Sequence, residues 1–207
     1  MKSLQKMFYL LWPAILFATM MVSCRDSKSV FGINFTKPDD VKVLNELISK
    51  VIPPDMVVEE IEFTYSESSS SFSFHKDGAK VVYVDPENNK RLRGIEVNLK
   101  TGETGPVQWM EDRPRTYNWV QKGTKLDNFD FSNIADMVNS AVQAMREDSI
   151  STAGLGSFSI DFSSGNPEKI MYKFSIQHRT GTQQYGRSVQ YQYEEYDFKV
   201  DKDGNFK

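Results

Sequence analysis

Val58-Glu59-Glu60-Ile61-Glu62-Phe63-Thr64-Tyr65 is the stretch that decides the fold class. It begins irregularly, but from Ile61 onward every second position is apolar, with Glu62 and Thr64 between. Successive side chains of a strand point to opposite faces, so this two-residue period marks a strand with one buried and one wet face. The segment before it has another period. Val41, Leu44, Leu47, Ile48 and Val51 recur at the spacing of one helical face. Thr36 or Asp39 can cap that helix, Asp39 and Asp40 suit the positive end of its dipole, and Pro53-Pro54 stop it. After the strand, a serine-rich turn at residues 66–71 leads into Phe72-Ser73-Phe74, and Lys76-Asp77-Gly78 reads as a tight turn. Val81-Val82-Tyr83-Val84 and Ile95-Glu96-Val97-Asn98-Leu99 read as two more strands, separated by a loop at 85–89.

The same order of signals then returns. Asp130 or Ser132 can cap a second helix whose stripe is Ile134, Met137, Val138, Ala141, Val142 and Met145. Phe158, Ile160 and Phe162 alternate with polar residues, a turn follows at 163–167, and Ile170 to Ile176 reads as a strand. A Gly-rich loop, Thr180-Gly181-Thr182, precedes a long strand from Ser188 to Val200. The strand running from Ile95 to the turn at Lys100-Thr101-Gly102-Glu103 is echoed by the one running from Tyr196 to Asp201-Lys202-Asp203-Gly204. Runs of strands, each following a single helix, predict an α+β fold rather than a parallel sheet. The expected architecture is two tandem modules, each one helix followed by a three- to four-stranded antiparallel sheet.

The N-terminus gives an address. Lys2 and Lys6 precede an apolar run from Met7 to Val22, and Ser23 stands before Cys24, the sole cysteine. A charged leader, a short apolar core and a small residue at the cut are the layout of a signal peptide. The run is short of the ~20 residues needed to span a bilayer, and Pro13 would kink a spanning helix. Met21-Val22-Ser23-Cys24 resembles a bacterial lipobox. That resemblance implies cleavage before Cys24, acylation of its thiol, and attachment to the bilayer through several chains, which is effectively permanent. The expected organisation is a signal peptide at 1–23, a tether at 24–36, a first module at 37–104, a linker at 105–129 and a second module at 130–207. Val30, Phe31, Ile33 and Phe35 are too apolar for a fully disordered tether, so part of it is expected to dock on the domain.

Without the two leader lysines the chain carries 23 basic and 28 acidic side chains, a formal charge of −5. This mild acidity argues against nucleic acid, which calls for a basic footprint. With no second cysteine, no disulfide is expected. A helix followed by a meander whose last strand ends in a Thr-Gly or Asp-Gly turn resembles PepSY-like domains. It is also similar to the tandem modules of β-lactamase-inhibitor-protein-like lipoproteins of Bacteroidetes-type bacteria, over residues 38–104 and 130–206. The resemblance implies a non-enzymatic periplasmic or cell-surface protein that binds or regulates another protein; it carries no catalytic residues across.

The search for chemistry agrees in direction. His75 and His178 lie near strand ends without carboxylate or cysteine neighbours at ligand spacing, so no metal or other cofactor is expected. There is no Gly-x-Ser-x-Gly elbow and no glycine-rich phosphate loop. Glu59, Glu60 and Glu62 on one strand and Glu194 and Glu195 on another read as wet sheet faces. The alternative is an envelope polysaccharide hydrolase working through a pair of these acids; a further one is a structural part of an outer-membrane assembly. Asp201-Lys202-Asp203-Gly204-Asn205 has a faint likeness to a calcium loop but reads as a turn, the chain ending before a twelfth-position glutamate.

Two surfaces are candidates for recognition. The linker from Val107 to Trp119 holds Trp109, Arg113, Arg115, Tyr117 and Trp119, residue types that dominate binding hot spots. Its tryptophans either plug a seam between the halves or form an exposed surface. Tyr191 and Tyr193 share one strand face, with Gln190 and Gln192 on the other; they are either half-buried or part of a peptide- or glycan-binding face. The expectation is an acylated envelope lipoprotein, outer-membrane and facing the periplasm, that binds a protein or glycan partner without catalysis.

Overall fold

Ile61 and Phe63 pair directly with Ile160 and Phe158, residues from the other half of the chain. That pairing overturns the expectation of two tandem modules. The computed structural model describes residues 32–53, 55–65, 73–110, 122–126, 129–145 and 153–207. Their elements are, in chain order, β1 (Ile33–Asn34), α1 (Pro38–Val51), β2 (Val57–Thr64), β3 (His75–Lys76) and β4 (Gly78–Asp85). There follow β5 (Asn88–Asn98), β6 (Gln108–Trp109), β7 (Thr124–Lys125), α2 (Ile134–Met145), β8 (Ala153–Asp161), β9 (Met171–Tyr185) and β10 (Ser188–Asp201). One eight-stranded antiparallel sheet has the order β10-β9-β8-β2-β4-β5-β6, with β7 alongside the start of β2. The described residues are thus mostly β, with two helices; β1 and β3 form a separate two-stranded sheet, and β2 and β8 sit at the centre of the eight-stranded one.

The physical reason is visible in the pairing. β2 and β8 each carry one apolar face, and joining them lets both helices share one core instead of leaving two half-buried sheet edges. α1 buries Val41, Leu44, Leu47 and Ile48, while α2 buries Ile134, Met137, Val138, Ala141 and Val142. These stripes meet Ile61, Phe63, Val81, Phe158, Ile160, Tyr172 and Phe174 in one hydrophobic cluster. Asn45 ties α1 to the segment leading into α2, donating to the Asp130 carboxylate at 2.8 Å and accepting from the Phe131 N–H at 3.1 Å.

Several local expectations are corrected. α1 starts at Pro38 with Lys37 in the cap position and no side-chain cap, because Thr36 is engaged with the Asn34 side chain. Lys76-Asp77-Gly78 does not reverse the chain. β3 pairs with β1, and Asp77 carries the backbone straight on, its N–H donating to Thr64 and its carbonyl accepting from Leu99. Gly181 is not in a loop: it lies within β9 opposite Gln192, and the reversal comes at Gly186, whose φ of 60° is the left-handed value that favours glycine. The segment after Gly32 enters the core. Ile33 and Phe35 are buried, and Phe35 meets Phe63 and Phe158 edge-on, each at 5.0 Å between ring centroids. Such pairs add about 0.5–1.5 kcal/mol beyond the area they bury.

Candidate functional site

β9 and β10 form the longest hairpin among the described elements, and its outer part leaves the sheet. β9 pairs with β8 only as far as His178, opposite Ala153, whereas the β9–β10 ladder continues to Tyr185 opposite Ser188. Among the described residues, 179–185 and 188–193 therefore form a two-stranded arm, roughly 20 Å long at ~3.4 Å per residue. The arm and its root carry large side chains in water. Tyr191, Tyr193 and Tyr196 are 44%, 42% and 41% exposed. The Arg179 guanidinium lies 3.9 Å from the centre of the Tyr191 ring, and the Tyr191 and Tyr193 rings are 6.4 Å apart. The Tyr196 hydroxyl donates to the Glu194 carboxylate at 2.8 Å. A cation held against an aromatic face contributes about 0.5–1 kcal/mol at an exposed site. These contacts give the exposed rings partners along the same hairpin.

Trp109 occupies the other end of the sheet. It sits on β6 opposite Arg93 of β5 and is 50% exposed, so it does not plug a seam. The guanidinium of Arg93 lies 4.7 Å from its ring centre and that of Arg91 lies 5.6 Å away. Arg93 is itself anchored, by Asp85 at 3.0 Å and Glu87 at 3.2 Å. Burial raises the pKa of the neighbouring Tyr83 despite the Arg93 charge beside it.

The two candidate surfaces do not converge. Six inter-strand steps separate β6 from β10, and at ~4.8 Å per step this puts Trp109 roughly 29 Å from the tyrosines. No small ligand bridges them. Cys24, Arg113, Arg115, Tyr117 and Trp119 lie outside the described residues. The acids read as a hydrolytic pair lie on β2 and β10, strands between which β8 and β9 intervene. The turn after β10 is filled by its own backbone. Asp201 accepts from the Asp203 and Asn205 N–H groups and from Lys207, and these bonds hold its carboxyl well below the usual range. Among the described residues no three His, Cys, Asp or Glu side chains gather as a ligand set, and no helix is long and apolar enough to cross a membrane.

One residue escaped the sequence reading. Lys76, taken for a turn residue, is fully buried. Its ammonium donates to the Leu155 carbonyl at 3.1 Å and the Gly156 carbonyl at 2.6 Å, with the Tyr65 ring 4.5 Å away. Burial pushes its pKa down to about 8, the Asp77 charge opposing that shift. The carbonyls it holds lie where β8 slips register against β9, between Leu155 and Phe158. A Lys-Asp-Gly triplet gives no sign of this, since the partners come from a bulge almost eighty residues away.

No family model matches the chain, and no curated protein matches it. Among solved structures it is similar to a putative lipoprotein from Clostridium difficile 630, at 13% sequence identity and a TM-score of 0.42, over 85% of this chain and 91% of that one.

Proposed function

We propose that this protein is a lipid-anchored binding protein of the bacterial cell envelope, held by acylated Cys24, that recognises a protein partner through the β9–β10 arm. The anchor rests on the charged, apolar and small-residue order of residues 2–24. The observation that carries the recognition reading is the exposed Tyr191–Tyr193 pair, ordered by Arg179 on a ribbon that leaves the sheet. Tyrosine and arginine offer large contact area with polar ends and little further entropy to lose once positioned. A glycan reading is favoured by Trp109, whose half-exposed ring at the opposite edge has the form of a sugar-stacking platform.

The test has two arms on the full-length chain. Mass spectrometry of membrane-extracted protein should find an N-terminal acylated Cys24, and a Cys24→Ala variant should lose membrane attachment. Capture of partners from the native envelope should then fall about tenfold in Tyr191→Ala/Tyr193→Ala, in keeping with the loss of two aromatic contacts, and stay unchanged in Trp109→Ala. The opposite pattern would favour the glycan reading.

A further inference from the structure

We infer that the outer edge of β10 accepts an extended basic segment of a partner protein as an added strand of the sheet. The inference rests on the reading of the arm as the recognition element and names the chemistry of what it takes. Among the described residues β10 is the terminal strand of the eight-stranded sheet. The chain's own C-terminus covers only its last residues: the Lys207 N–H donates to the Lys199 carbonyl at 2.9 Å, and the Asp201 N–H donates to the Asn205 carbonyl at 3.0 Å. Those two bonds fix which residues aim their backbone away from β9. Residues 199 and 201 do so, and the two-residue period gives Glu195 and Asp197 the same orientation.

The side chains specify the partner. Between Val189 and Phe198, β10 carries Glu194, Glu195 and Asp197, all exposed, and no lysine or arginine. A second copy laid along this edge would bring acid near acid, and like charges directly opposite are destabilising. Charged edges of this kind resist self-association. The same charges favour a strand that presents lysine or arginine across from them. Strand addition draws affinity from main-chain hydrogen bonds and specificity from alternate side chains. Further out, the arm is two-stranded among the described residues, and an isolated pair of strands is marginal in water. A third strand would complete it, with Tyr191 and Tyr193 flanking the newcomer on one face.

The experiment titrates the full-length protein with two end-capped nonapeptides, one of alternating lysine and threonine and one of alternating glutamate and threonine. The lysine peptide should bind about tenfold more tightly, the sum expected of a few cross-strand charge pairs, and should slow hydrogen exchange at the Glu195 and Asp197 amides. Glu195→Pro removes an outward N–H at an edge position that tolerates proline, and it should abolish that binding. The double variant Glu195→Lys/Asp197→Lys should reverse the peptide preference, which keeps the test decisive if the proline variant does not fold. Equal binding of the two peptides, or an unreversed preference in the lysine variant, overturns the inference. Partner capture that is lost in Tyr191→Ala/Tyr193→Ala but intact in Glu195→Pro overturns strand addition and leaves the arm as the recognition element. Capture intact in both overturns the two together.

Discussion

Lys76 has the most consequential environment of any single residue described. An ammonium group taken from water costs several kcal/mol unless it is well hydrogen-bonded, and here two carbonyls of the β8 bulge and the Tyr65 ring receive it. In the unfolded chain a lysine titrates near ~10.4, whereas burial lowers Lys76 to about 8 in the fold, Asp77 opposing. Between those values the unfolded state binds more protons than the native state, so the Lys76 contribution to stability rises with pH and is flat below about 8. Urea unfolding at pH 7.5 and 9.5 should therefore reveal a gain on the order of 2 kcal/mol from this group, absent in Lys76→Met. Tyr83 and Tyr172, both raised by burial, oppose the trend only above ~10, where unfolded tyrosine loses its proton first. A wild-type profile that is flat or falling across the interval would mean that the ammonium is not desolvated as described.

At the scale of elements, the arm is the part with least support. Its residues beyond His178 have no strand from β8 beside them among the described residues, so its amides should exchange faster than those of 171–177. Replacing residues 180–192 with Asn-Gly would join Arg179 to Tyr193, register partners on the two strands, through a two-residue turn that suits antiparallel hairpins. The shortened protein should keep its thermal midpoint to within roughly 4 °C; loss of cooperative melting would place the arm in the core. How far these elements could be read in the sequence follows from what each one uses. Ile61, Phe63, Phe158 and Ile160 announce strands because alternation is local. Gly181 misled because a glycine inside a strand looks like punctuation, and Lys76-Asp77-Gly78 misled because turn residues also serve where the chain passes from one strand partner to another. The pairing of β2 with β8 was not legible. Two strands with equivalent apolar faces satisfy the same pattern whether they close separate sheets or join one. The turns after β5 and β10 do echo each other, with Asn98 and Asp201 each accepting from the backbone N–H groups ahead of them, though two residues out of the register suggested by sequence.

At the scale of the molecule, the eight-stranded sheet sets its two edges six strand steps apart, and the proposed function uses one of them. The recognition candidates read from sequence were the Trp109 segment and the Tyr191–Tyr193 face. Their exposure could not be decided there, because an aromatic on an edge strand and one in a seam have the same local pattern. Placed at opposite ends of the strand order, they become alternatives that a single measurement separates. A photoreactive phenylalanine analogue is introduced at position 191 or at position 109 of the protein expressed in its native cells and activated there. The account predicts a discrete cross-linked protein species from position 191 and none from position 109. A species from 109 alone, or from neither position, would contradict recognition through the β9–β10 arm.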